Sequence, residues 1–243
     1  MSLLNLERPA RPDHAYIRGM FDSFADRYDL FTRLIGLGQD ARLRARALEG
    51  VGPGMRVLDV ACGTGALAIA AAKKTGPGGL VVGLDFSEGM IGRARRNQAA
   101  AGIPGGHLKF LVGPAEGLPF NGGKFDWVVS GFALRNLYEH IGPIAEGIRL
   151  SLKPGGRIAL LDLTEPESPA LRALYHFYLY VMVGIYGLAL FGRHYPVAYL
   201  PASTGRFFRA RPFKKFLKDT GFKDVRAESR MLGAVTLYRA GVL

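Results

Sequence analysis

The sequence predicts an α/β protein whose parallel sheet carries helices on both faces. Three observations lead there. From residue 56 onward, short apolar runs alternate with helical stretches. The runs are apolar throughout, as in strands covered from both sides, and do not alternate with polar residues. The first run also ends in a glycine-rich turn that opens a helix.

The elements follow in order. Residues 1–12 read as a floppy tail, and the opening apolar run is too short for a signal peptide. Residues 13–49 read as two helices, the first with Ile17, Met20, Phe21, Phe24 and Tyr28 on one stripe, before Gly50, Gly52, Pro53 and Gly54 break the pattern. A strand over 56–61, a helix over 66–74 and a strand over 80–85 come next. The helix over 87–101 has Ser87 as its N-cap. Strands over 107–113 and 125–130, a helix over 141–152 and a strand over 157–163 continue the alternation, the last after the turn Lys153-Pro154-Gly155-Gly156. Runs over 223–229 and 234–239 flank Met231, Leu232 and Gly233, which predicts an antiparallel pair closing the sheet. Residues 164–221 interrupt the pattern as a helical insertion. The expected layout within a single domain is an N-terminal tail and helical cap (1–49), a core (50–163 and 222–243) and a lid (164–221).

Composition narrows the class. The chain has 243 residues, 49% of them apolar, with 32 Lys and Arg against 20 Asp and Glu, a net charge of +12. That excludes a disordered chain, a collagen-like fibre and a coiled coil, and allows a core that needs no staples. The single cysteine, Cys62, excludes an internal disulfide framework and a zinc site of several thiolates. A reducing, cytoplasmic compartment is the default. The densest basic run is Arg206, Arg209, Arg211, Lys214, Lys215 and Lys218. It suits a polyanion, whether nucleic acid or anionic lipid, or simply a solvated face.

The stretch 57–68 reads VLDVACGTGALA, in which Gly63, Gly65 and Ala68 form G-x-G-x-x-A, and Asp85 lies 20 residues after Gly65 at the end of the next strand. This arrangement binds a nucleoside cofactor, with the acid on the ribose hydroxyls. A dinucleotide would set its pyrophosphate at this turn. Asp59, just ahead of the turn, would repel it, whereas a ligand with an ammonium and a sulfonium suits the carboxylate. The reading is therefore S-adenosylmethionine and not a nicotinamide dinucleotide. A buried acid satisfied by backbone amides is the alternative for Asp59.

Several further stretches resemble the ubiquinone/menaquinone biosynthesis C-methyltransferases of the UbiE/MenG type: MFDSFADRYD at 20–29, GLDFSEGM at 83–90, AEGLPF at 115–120, FALRN at 132–136, LKPGGR at 152–157, AYLPAS at 198–203 and GF at 221–222. The resemblance implies a Rossmann-like, seven-stranded class I methyltransferase sheet and methyl transfer to a ring carbon of a prenylated quinol. By matching position it puts Thr64, Asp85 and Ala115 in the cofactor site and Tyr28 near the cofactor's methionine end. Phe86, Ser87 and Met90 join that site from the stretch 83–90, and Pro114 and Ser130 from just ahead of the stretches 115–120 and 132–136. Four departures stand out. Pro114 replaces an Asp or Asn that contacts adenine, Gly131 a serine, Leu43 a tryptophan, and Tyr238 a histidine that could touch substrate.

Carbon methylation of a quinol needs positioning and a deprotonated neighbouring hydroxyl, but neither a covalent nucleophile nor a metal. Arg135 and Asn136, just past the fourth strand, are the catalytic candidates. Arg135 would stabilise a phenolate or hold an activating water, unless it is a surface arginine paired with an acid such as Glu139. His194, Tyr195 and Tyr199 in the insertion are substrate-binding candidates. The stretch 173–192 is almost wholly apolar and long enough for a membrane span. A span would strand the last two strands across the bilayer from their sheet, so an apolar lid that receives a polyprenyl tail and rests on the membrane surface is preferred, with plain core helices as the other option. Residues 213–219, with Phe213, Phe216 and Leu217 opposite Lys214, Lys215 and Lys218, could assist.

Other functions weighed are methylation of another lipid or small phenol, RNA methylation, and a silent scaffold. SGFALRN is not the base-methylating pattern, and Cys62 is misplaced for pyrimidine chemistry. No nucleic-acid partner is therefore expected. Benzoquinol against naphthoquinol, tail length and oligomeric state, a homodimer included, stay open.

Overall fold

The computed structural model describes residues 14–243, apart from the side chains of His14 and His194, so the tail expected over 1–12 lies outside the described residues. Seven strands form one sheet in the order β3-β2-β1-β4-β5-β7-β6. They are β1 (Arg56–Val60), β2 (Leu80–Asp85), β3 (Leu108–Val112), β4 (Phe125–Gly131), β5 (Leu152–Leu163), β6 (Lys223–Arg230) and β7 (Val235–Gly241). The first five are parallel, and β7 enters antiparallel between β5 and β6. β5 starts earlier than expected because the 153–156 turn is taken up into its length.

Where two helices are expected ahead of the sheet there are three: α1 (His14–Phe24), α2 (Tyr28–Ile35) and α3 (Asp40–Ala47). α4 (Ala66–Thr75), α5 (Glu88–Ala100) and α6 (Ile141–Ser151) are the crossover helices. One face of the sheet buries Val57, Val81 and Val129 under Leu43, Leu67, Ala71 and Ile91. The other buries Leu58, Val128 and Ile158 under Ile144, Ile148, Phe213 and Leu217. Burying a leucine or isoleucine side chain contributes about 1.5–3 kcal/mol, so these two layers hold the sheet.

The insertion divides. α7 (Pro169–Phe191) and α8 (Tyr199–Arg206) pack with α1 and α2 in a third apolar cluster of Met20, Phe24, Phe31, Leu179 and Val183. α9 (Ala210–Asp219) lies on β6, with Phe213 and Leu217 fully buried in the sheet's core. The expected lid over 164–221 is corrected there: the apolar side of α9 faces the sheet and only its lysine side faces out. Tyr238 is also corrected. It is buried on that same side of the sheet, 4.8 Å edge-to-face from Phe213, and lines neither of the two cavities described below.

Candidate functional site

β1 has β2 on one side and β4 on the other, so consecutive crossovers leave it in opposite directions and open a crevice at the strands' carboxyl ends. The glycine turn shapes this crevice. Gly65 has φ +79°, and a Cβ there would lie 2.6 Å from the Phe110 ring, so only glycine fits. Asp85 holds the turn from β2: its carboxylate accepts from the Gly63 amide at 2.8 Å and the Ser87 amide at 3.0 Å. Burial raises its pKa, with those amides opposing.

A cavity of about 120 Å³ lies over the turn. Asp59, Gly63 and Thr64 line it from β1 and its turn, Asp85, Phe86 and Met90 from β2 and α5, and Pro114 and Ala115 from the loop after β3. Asn136 closes one side. Three residues expected to hold cofactor do not line it. Gly65 shapes the turn from beneath. Ser87 caps α5, accepting from the Met90 amide at 3.0 Å. Ser130 is fully buried and donates to the Val60 carbonyl at 2.8 Å, tying β4 to β1.

Asp59 tests whether the cavity suits its cofactor. The side chain is buried, and neither carboxylate oxygen makes a hydrogen bond. Burial pushes its pKa up to about 8, against the pull of Arg44 and of the Ala68 amide, which is too poorly placed for a formed bond. An unpartnered buried acid is expensive unless something pairs with it. A cationic amino-acid moiety supplies what Asp59 lacks, so the residues present fit S-adenosylmethionine.

The N-terminal helices close this cavity from above, with Ile17, Arg18, Phe21 and Tyr28 in its roof. Three aspartates fasten them. Asp22 accepts from the Ser87 hydroxyl at 2.5 Å and the Gly89 amide at 2.9 Å. Asp26 pairs with Arg93 and Arg96. Asp29 accepts from the Thr64 hydroxyl at 2.5 Å and from Asn97 at 3.0 Å. Sequence reasoning missed these residues; the signal was three acids within eight positions, which the structure places at the end of α1, in the turn after it and at the start of α2.

A second cavity of about 540 Å³ lies beside the first, between the cap and α7, and its wall is almost wholly carbon. Phe21, Tyr28 and Phe132 line both cavities. Arg135, expected at the surface or on substrate, is buried in the wall of the larger one. Its carboxylate partner is Asp162 of β5, not the suggested Glu139: Nη1 donates to Asp162 at 3.0 Å and the backbone amide donates at 2.9 Å, while Nη1 also donates to the Phe132 carbonyl. Burial acts to lower the Arg135 pKa, and Asp162 with the Tyr28 and Tyr199 side chains more than offsets it, so the guanidinium stays charged. Tyr195 and Tyr199 do line this cavity, and the Tyr199 hydroxyl donates to Asn136 Oδ1 at 3.1 Å. His194 falls in the turn Gly192–His194, and its side chain is outside the described set.

Known proteins resemble this chain in sequence and in fold. The model of the ubiE/COQ5 methyltransferase family matches residues 10–241. A ubiquinone/menaquinone biosynthesis C-methyltransferase UbiE from Geobacter sulfurreducens is 36% identical over 91% of this chain and 86% of its own length. A demethylmenaquinone methyltransferase from Staphylococcus aureus is 31% identical over 91% of each. Among solved structures, a magnesium protoporphyrin IX methyltransferase from Synechocystis with bound SAH is similar in fold, with TM-score 0.65, 23% identity and coverage of 95% of this chain and 100% of that one. A SAM-dependent methyltransferase from Aquifex aeolicus gives TM-score 0.65 at 19% identity over 91% and 98%.

Proposed function

The chain belongs to the ubiE/COQ5 methyltransferase family, and on that premise we propose that it methylates a ring carbon of a prenylated quinol in menaquinone or ubiquinone biosynthesis. The carrying observation is the shared wall. A large apolar cavity adjoins the cofactor cavity across Phe21, Tyr28 and Phe132, with the Arg135 guanidinium at that end. Hydrocarbon fits the larger chamber, and an oxygenated ring fits its charged end.

S-adenosylmethionine, when bound, supplies a methyl group on a sulfonium. Asp59, Thr64 and Asp85 are the side chains that would hold it. Arg135 favours the ionised form of a quinol hydroxyl, and the oxyanion raises electron density on the adjacent ring carbon. The hydroxyl proton leaves to solvent as the oxyanion forms, and the carbon that gains the methyl loses its hydrogen as a proton that restores the hydroxyl. The aromatic walls exclude water, which strengthens the Arg135 field.

The cavity mouth supports a membrane-facing reading, at the inner face of the cytoplasmic membrane. Leu37, Leu174 and Leu232 all line the cavity and are also 64%, 61% and 75% exposed. From Leu174 the outer face of α7 continues the apolar surface through Phe177, Tyr180, Ile185 and Leu188. α7 is long and apolar enough to cross a bilayer, yet it buries Leu179 and Val183 against the cap. That suits a helix lying on the surface, where a prenylated ring enters from the lipid.

The test is to incubate purified protein with labelled S-adenosylmethionine and a chemically reduced, short-tailed prenyl naphthohydroquinone or benzohydroquinone. A product heavier by one methylene, with the new carbon on the ring, is expected. Labelled products of other phenols or RNA, with none from either quinol, would refute the reading.

A further inference from the structure

The larger cavity holds few polar atoms, and most are committed. Tyr178 donates to the Ile35 carbonyl at 2.7 Å, Tyr199 to Asn136 at 3.1 Å, and Thr32 to the Asp29 carbonyl at 3.1 Å. Two buried donors are not: the Tyr175 hydroxyl and Arg135 Nε make no hydrogen bond. Thr204 stands near Tyr175 and donates to the Leu200 carbonyl at 2.9 Å; its oxygen keeps acceptor lone pairs, but no hydrogen bond from the Tyr175 hydroxyl is formed to it.

We propose that Tyr175 is a substrate-binding residue whose hydroxyl, together with Arg135, holds an oxygen of the acceptor ring. The inference rests on the quinol reading and deepens it. Tyr175 follows from helix geometry: with Leu179 and Val183 it forms the buried i, i+4, i+8 stripe of α7 that packs toward the cap, so its ring is fixed by packing alone. The hydroxyl makes no hydrogen bond within the fold. A buried donor left unpaired in the protein, lining a cavity, is a group whose partner arrives with the ligand. Arg135 is the charged group that acts most strongly on this phenol, and burial raises its pKa, so the hydroxyl remains a donor at neutral pH. A donor that lines the same cavity as a fixed cation selects an oxygen carrying negative charge. An acceptor without that oxygen would leave both groups unpaired, which is how polar sites reject close analogues. Tyr175 thereby discriminates among rings.

Tyr175→Phe keeps the ring and removes only the hydroxyl. With a reduced short-tailed prenyl naphthohydroquinone, KM should rise about 10- to 100-fold, the scale of one hydrogen bond to a charged group. The thermal midpoint and the S-adenosylmethionine affinity should not fall. A matched naphthol lacking one ring hydroxyl should bind wild type more weakly than the hydroquinone does, and Tyr175→Phe should lose that preference. If wild type turns over the hydroquinone and Tyr175→Phe shows the same KM, the inference falls alone. If wild type methylates neither quinol class, the quinol reading falls and takes the inference with it.

Discussion

Cofactor binding should release a proton from Asp59. In the cofactor-free protein its pKa is pushed up to about 8, well above the ordinary carboxyl value of 3.8, so the folded protein carries it neutral at neutral pH. A cationic moiety beside it favours the ionised form, and binding expels the proton. At pH 7 only roughly one-tenth of the molecules have Asp59 ionised, so affinity there is about tenfold, or about 1.4 kcal/mol, below its limit at higher pH. Between roughly pH 7 and pH 6 the dissociation constant should rise about tenfold again; this window lies below the range, about 7.7–8.0, where an α-amino group loses its own proton. Calorimetry in two buffers of different ionisation enthalpy should report about 0.9 proton released per cofactor at pH 7. Asp59→Asn should abolish the release, flatten the pH dependence and weaken binding. Proton uptake, or none, in the wild type would refute the reasoning. The sign for stability is opposite. Because the folded pKa lies above the unfolded one, the cofactor-free fold loses stability as pH rises from about 4 to about 8. Asp59→Asn should therefore unfold later than wild type in urea near neutral pH, by about 0.5–2 kcal/mol.

Three other outcomes follow from the geometry. Asp22→Ala removes two hydrogen bonds that fasten the cap to α5, so the cap should loosen by about 1–2 kcal/mol, read as faster proteolysis within residues 14–49 that added cofactor slows. Arg135→Lys, which keeps the charge but not the planar fork, should lower turnover by about 100-fold with cofactor affinity unchanged; Arg135→Ala should in addition destabilise the fold by about 3–5 kcal/mol, because Asp162 is left buried without its cation. Phe177→Asp with Ile185→Asp, on the outer face of α7 and outside the cavity lining, should abolish the salt-resistant part of binding to anionic vesicles in a sedimentation assay and leave activity on a detergent-solubilised quinol intact.

The sheet was legible because its strands are unbroken apolar runs between glycine turns, and β2 lies at the predicted residues. Ser87 was legible as an N-cap because capping is local chemistry. What escaped was long-range. Asp22, Asp26 and Asp29 look like a solvated helix face, and their partners lie 65 or more residues away or in the Thr64 turn. Asp162 sits inside the apolar run of β5, and an acid in such a strand is a signal for a buried partner; Glu139, named only for the alternative of a surface arginine, is near Arg135 in sequence alone. α9 was misgrouped because an amphipathic helix has the same pattern on a sheet as on a bilayer.

The wall that Phe21, Tyr28 and Phe132 build between the two chambers has a consequence for how variants must be interpreted. Two of its three residues come from the fastened cap, so one rigid surface is felt by both ligands at once. Any effect of one occupant on the affinity of the other passes through it and must be equal in both directions. Substitutions at Phe21 or Tyr28 therefore alter the walls of both chambers at once. The change such a variant makes in the coupling should be the same whether it is measured as the lipid's effect on cofactor affinity or as the cofactor's effect on lipid affinity.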